Sequence, residues 1–458
     1  MIAATVSLSL ALLVAAEPEA TALVARLGAA PASEQRAVAA QIEALGPKAL
    51  PALRAAKGSK DPELRRRASA LLEKVETGLL IRPSLVALDF QEQPPAEVIR
   101  SIHAQTGISL VLEPPGNPAW QTVRISLKES QPLPFWEALD RIGSAGRLHH
   151  DPSFPRPADE RTPILHLVEG ATTFPRSFSG PFRTNLLSVH RRHDLAFGPK
   201  ERADDEEDEP EPEPERFEVV AQVFAEPQLL ITLNGPPKEL KARDDFDQDL
   251  VPPPPELVED PDGAPEPGGG PGIERGPGRV PGALAVVQFP IALHAPERPG
   301  TTIERLEGFI PLQVAMRRPD PLTITLAEAA GRTFETDELS VRLPEGKLDL
   351  TSREPLELFV TLKAPANALP PDETPAPPDF PEPRPVDTLQ NRLEVVDSKN
   401  RPLAFRIKDV QRDDSGESRV LIVLSAREGS AQPVQLHVYS LVLGAIEVPF
   451  KFTKIPMP

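Results

Sequence analysis

The chain has 458 residues and a formal charge of −18, from 50 Lys and Arg against 68 Asp and Glu. It contains no cysteine, which excludes disulfides, zinc–thiolate and Fe–S sites, a cysteine nucleophile and a lipidated N-terminal cysteine. Its 58 prolines exclude a mainly helical chain, because each interior Pro removes a hydrogen bond and clashes with the preceding turn. The 40% hydrophobic and 26% charged content is that of a globular protein, and the length suits about two to four domains.

Residues 2–16 are uncharged and end in Val14-Ala15-Ala16 before Glu17-Pro18. The run is short of the roughly 20 apolar residues of a membrane span. It reads as a secretory signal peptide, 1–16, with retention as an anchor the alternative. From 17 to 81, apolar residues recur at helical spacing: Ala37, Ala40, Ile42 and Leu45, then Leu64, Ala68, Leu71, Leu72 and Val75. Asp61-Pro62 predicts a helix start, an N-cap followed by Pro at N1. Arg36-x-x-Ala39-x-x-Ile42 recurs as Arg65-x-x-Ala68-x-x-Leu71. With LGPKALPALRAAKGSKDPELRRRA between them, the pair resembles the short HEAT-like repeat family, which implies an interaction surface.

Between 82 and 168 a strand–helix unit occurs twice. LVALDF precedes Pro94-Pro95-Ala96-Glu97-Val98-Ile99-Arg100-Ser101-Ile102, then Thr106-Gly107 and ISLVLE; VRISL precedes Pro132-Leu133-Pro134-Phe135-Trp136-Glu137-Ala138-Leu139, then Gly146. Val98, Ile102, Trp136 and Leu139 are expected on buried helix faces, against strands carrying Leu88, Phe90, Ile125 and Leu127. Residues 85–112 above all resemble the small βαββα module of secretins and TonB-dependent receptors (STN-like). That resemblance implies a protein-docking module without catalysis. No series of strands suited to a transmembrane barrel follows, so the pore itself is not expected.

After 160 the period changes to two. Strands are expected at Ile164–Val168, within Arg216–Asn234, and at Ala283–His294, Ile303–Met316, Leu322–Leu326, Leu356–Leu362, Leu393–Val396, Arg419–Ser425, Val434–Leu443 and Ile446–Phe452. Pro290, Pro311 and Pro449 within them point to sheet edges or bulges. Three insertions interrupt the pattern. Residues 201–215 hold ten acids and one Arg; 248–282 hold ten Pro and eight Gly; 365–385 hold nine Pro. Such segments bury too little apolar surface to offset ordering entropy and are expected as disordered insertions or linkers. The fold class is thus α+β and multidomain: helices to 81, the βαββα module at 82–168, a β-rich domain at 169–364, a Pro-rich linker at 365–385 and a C-terminal β domain at 386–458, the β region antiparallel and sandwich-like. The whole arrangement resembles a group of uncharacterised exported bacterial proteins.

No residue pattern assigns a catalytic, cofactor or metal site. Asp245, Asp247 and Asp249 have the spacing that opens an EF-hand loop, with Glu256 at the twelfth position, but Leu250 stands where Gly is needed and prolines follow. They read as an acidic turn, with weak cation binding left open. His149-His150-Asp151 and His190-Arg191-Arg192-His193 are expected at the surface. The Gly276–Gly282 run follows no strand and its prolines remove phosphate-binding N–H groups. Arg65-Arg66-Arg67 reads as a polar helix face, Trp120 as part of the module, and the net charge disfavours nucleic acid. The reading is a non-catalytic, exported scaffold of the periplasm or cell envelope, with no cofactor, no span after signal cleavage, and protein partners on the helices and the βαββα module. The alternatives are an accessory component of a secretin-type pore and an enzyme with an unrecognised carboxylate pair in the β region.

Overall fold

The structure, a computed structural model, describes residues 18–29, 31–151, 164–171, 174–192, 216–252, 286–295, 298, 300–336, 338–345, 356–362, 389, 391–403, 405–412, 417–424 and 432–458. The expected signal segment, the insertions at 201–215 and 365–385, residues 253–282 and His193 lie outside the described residues.

The described chain opens with helices α1 (18–29), α2 (Ala32–Leu45), α3 (Leu50–Lys57) and α4 (Pro62–Leu80). Asp61 caps α4 as expected, accepting from the Glu63 N–H at 2.9 Å, with Pro62 at N1. Leu27, Val38, Ile42, Leu53, Leu72 and Val75 share one core. The α4 stripe faces that core, but α2 is rotated from expectation. Val38 and Ile42 are buried, while Ala37 and Ala40 face solvent. Burial free energy scales with apolar area, so the larger side chains choose the inward face and the alanines follow.

Next come β1 (Leu85–Val86), β2 (Asp89–Gln93), α5 (Pro95–Thr106), β3 (Leu110–Glu113), the single turn α6 (Ala119–Thr122), β4 (Ile125–Lys128), β5 (Leu133–Pro134), α7 (Phe135–Gly146), β6 (Leu148–His150) and β7 (Leu165–Glu169). β1 pairs β5 and β2 pairs β4; β7 lies between β6, antiparallel, and β3, parallel. Gly107 ends α5 with φ 73°, the left-handed conformation that favours glycine. The expected core residues Val98, Ile102, Trp136, Leu139, Leu88, Phe90 and Ile125 are buried, and Leu127 is half-buried.

Two β units follow. In the first, β8 (Arg176–Ser179), β9 (Phe182–Arg192), β10 (Arg216–Ala225) and β13 (Val286–His294) form a sheet in the order β13-β10-β9-β8. Its partner sheet holds β11 (Leu229–Asn234), β12 (Lys238–Asp244), β14 (Thr302–Arg317) and β24 (Leu441–Pro456). β14 meets β11 and β12 in turn along one edge and β24 along the other. Val219, Ala221, Leu306, Ile310 and Phe450 lie in the shared core. In the second unit, β15 (Leu322–Thr325), β19 (Leu393–Asp397), β20 (Pro402–Leu403) and β23 (Pro433–Val438) form one sheet; β16 (Thr333–Glu335), β17 (Leu339–Arg342), β18 (Leu356–Leu362), β21 (Phe405–Arg412) and β22 (Glu417–Leu424) form the other. Ile324, Leu358, Val395 and Ile422 share its core. The chain is therefore α+β with a large antiparallel β region.

Several expectations change in detail. β18 and β22, placed by the sequence in segments either side of 365–385, are hydrogen-bonded neighbours in one sheet. The Val434–Leu443 strand is two strands, and the second, β24, leaves its neighbours to join β14 in the first unit. Residues 248–252 of the expected second insertion pack: Leu250 is fully buried, its N–H donates to Ala242 and its carbonyl accepts from His294. Pro290 and Pro449 sit on edge strands as expected. Pro311 does not, because β14 is paired on both sides. It lies where β11 ends at Asn234 and β12 begins at Lys238, so its missing N–H faces the gap between them.

Candidate functional site

A cavity of about 720 Å³ opens between the βαββα segment and the outer face of the β8–β10 sheet. α7 contributes Leu139, Asp140, Ile142 and Gly143, β6 contributes Leu148 to His150, and the sheet contributes Arg176, Phe178, Arg183, Asn185 and Gln222. Gly143 lets α7 lie against β6: a Cβ there would stand 2.5 Å from the Leu148 carbonyl oxygen. Strand alternation builds the sheet side of the wall. Phe182 and Leu186 of β9 point into the core of the first β unit, and Arg183 and Asn185 point the other way. Across the ladders Arg183 is opposite Phe178 and Phe224, and Asn185 is opposite Arg176 and Gln222.

Arg183 is the unusual group here. It is 5% exposed, and its guanidinium carbon lies 4.3 Å from the Trp136 ring centroid and 4.5 Å from that of Phe224. Nη2 lies 2.9 Å from His150 Nδ1, and Nε has no hydrogen-bond partner. Among the described residues no carboxylate pairs with Arg183, whereas Asp140 pairs with Arg176. Burial, and secondarily the Arg176 charge, push the Arg183 guanidinium down to about 9. An unpaired buried ion costs several kcal/mol, and a cation–π contact returns about 0.5–2 kcal/mol, so two rings and one imidazole offset only part of it. The Asn185 Oδ1 and His149 Nδ1 atoms are also buried without partners.

The sequence candidates are placed as follows. His150 is not at the surface: it is buried, its ring 5.7 Å from Trp136 and 5.4 Å from Phe224. The reason is packing between elements: the ring is enclosed by Trp136 of α7, Phe224 of β10 and the Arg183 guanidinium of β9. His190 is exposed and bonds Ser188. The three carboxylates of the acidic turn are engaged separately: Asp245 accepts from Thr301, Asp247 pairs with Arg243 at 2.6 Å, and Asp249 accepts from the Val251 N–H. They do not converge, and no group of three or more His, Asp or Glu is arranged to hold a metal ion among the described residues. Arg66 and Arg67 pair with Glu63, and Arg67 also donates to the Leu27 carbonyl, joining α4 to α1. Trp120 is buried and donates to the Pro114 carbonyl. The sequence reading missed Arg183 altogether. Its signal was an arginine in the alternation of FRTNLL, which shows an outward residue without showing that another segment covers that face. Comparison of the chain with protein-family models, with curated proteins and with solved structures found no match.

Proposed function

We propose that the chain is a non-catalytic, exported scaffold of the cell envelope, binding protein partners through the HEAT-like helices and the secretin-like βαββα module carried on two β-sandwich units. The observation that carries the reading is the outer face of α2. Ala37, Ala40 and Ala44 lie at helical spacing and face solvent, while Val38 and Ile42 hold the other side of the helix in the core. A smooth stripe of small side chains permits close approach of a partner helix at little entropic cost. The helices are held rigidly for such a role. Glu76 of α4 is 3% exposed and pairs with Arg318 at 2.9 Å and Arg54 at 3.2 Å, which ties the helical unit to the linker between the β units. Export rests on the apolar 2–16 segment, and among the described residues no helix is long and apolar enough to cross a membrane. The test is affinity capture from envelope fractions with the native chain and with Ala40→Arg. A partner retained by the native chain and lost by a folded Ala40→Arg variant supports the proposal. Identical capture by both sinks it.

A further inference from the structure

The cavity beside α7 is built for a ligand that the scaffold reading does not use. It combines a buried guanidinium that no carboxylate pairs among the described residues, its Nε without a hydrogen-bond partner, with a wall that is partly apolar. We propose that it binds a monocarboxylate with an apolar body. The carboxylate sits on the edge of Arg183 that His150 leaves unbonded, and the body lies against Leu139, Ile142, Leu148, Leu167 and Phe178.

Three features select this chemistry. Arg183 has one positive charge to neutralise, since Asp140 already serves Arg176. A planar carboxylate matches the guanidinium fork, and its bonds are charge-assisted in a water-poor setting. A phosphate dianion would bring excess negative charge beside Asp140 and Asp151, both of which line the cavity. The apolar part of a mixed polar and apolar lining then takes the body of the ligand, in a cavity within the size range of small-molecule sites, about 300–1,000 Å³. The Trp136 and Phe224 rings hold the guanidinium plane in place before the ligand arrives, so little ordering cost remains at binding.

An apolar carboxylate can be a free small acid or the C-terminal residue of a polypeptide. The experiment separates these sources. Full-length chain is titrated calorimetrically with 3-phenylpropionate, with 3-phenylpropionamide, and with a tetrapeptide ending in Phe as free acid or as amide. The expected result is binding of at least one acid, about 10-fold or more tighter than its amide, the acid that binds identifying the source. Arg183→Met is expected to lose that preference by the same factor. If Arg183→Met does not fold, Ser144→Trp serves instead, since Ser144 lines the cavity from the exposed side of α7 and a tryptophan there obstructs it without touching the guanidinium stack. Equal binding of acid and amide, unaltered acid binding in either folded variant, or no binding of either acid at millimolar concentration overturns the proposal and leaves Arg183 as a purely structural cation–π pillar.

Discussion

Glu226 occupies the turn between β10 and β11 with no solvent exposure, and it ties the βαββα segment to the first β unit. Its carboxylate accepts from the Ser84 N–H at 3.0 Å, the Ser84 hydroxyl at 2.6 Å and the Gln228 amide at 3.0 Å. Burial outweighs these bonds and pushes the carboxyl up from 4.5 to about 7. In the unfolded chain the group titrates at its ordinary value, so between about pH 4.5 and pH 7 the folded state binds more protons and stability falls as pH rises. The full cost, about 3 kcal/mol at most, is present above the folded value. Glu226→Gln should therefore flatten this part of the pH profile. Urea midpoints of the two proteins should diverge from about pH 5 to about pH 8, with the variant the more stable at the higher pH. Parallel profiles would refute the assignment. Trp136 is the second test at this scale. It is 1% exposed, donates to the Pro181 carbonyl at 3.1 Å and forms one face of the Arg183 stack. Trp136→Ala should cost about 3–5 kcal/mol in chemical denaturation. An unchanged melting curve would place the ring outside the energetic core.

β14 carries the most pairing of any single element, and Pro311 near its middle shows how an interior strand tolerates proline. Gly235 donates to the Pro311 carbonyl at 2.9 Å across the handover from β11 to β12. The position has no strand partner to receive an N–H, so Pro311→Ala should change stability by less than about 1 kcal/mol in urea titration, the direction set by unfolded-chain entropy. A gain well above that would show that the proline had cost the sheet a hydrogen bond. α4 gives the opposite case. Glu76 joins Arg54 and Arg318, and Arg318 in turn pairs with Glu338, which also holds Arg392 at 2.6 Å. Glu76→Ala would remove the carboxylate that Arg54 and Arg318 share, leaving Arg54 on Asp320 and Arg318 on Glu338. Because Arg54 and Arg318 are 24% and 26% exposed, the loss should fall below that of a fully buried pair, about 2–3 kcal/mol. Thermal unfolding should show it as earlier release of the helical unit; coincident transitions in the native and variant chains would refute the coupling.

At the scale of the molecule, the last strand decides how the two β units cohere. β24 runs along all of β14 and places Val448, Phe450, Phe452 and Ile455 in the core of the first unit, although the chain has just left the second. Removing residues 441–458 should therefore disrupt the unit that begins near 176 and leave the core around Leu358 and Ile422 intact. Hydrogen exchange reads this directly: loss of protection in β10 and β14 with retention in β18 and β22 is expected. Loss confined to the second unit would contradict the topology.

What the sequence determined by itself is local. Helix starts at Asp61-Pro62, the buried faces of α5 and α7, and strands such as Leu356–Leu362 follow from capping chemistry and from periods of 3.6 and 2, which act over a few residues. The exclusion of thiol chemistry follows from composition alone. Tertiary structure decided the rest. Alternation shows that Arg183 and Asn185 share a sheet face, but only packing of α7 and β6 over that face makes it a cavity wall and strips Arg183 of water. Pairing of β14 with β24, or of β18 with β22, joins segments more than 50 residues apart. Many strands carry equivalent alternating patterns, so their partners are selected by the cores they jointly close, a property of the whole chain that no local window contains.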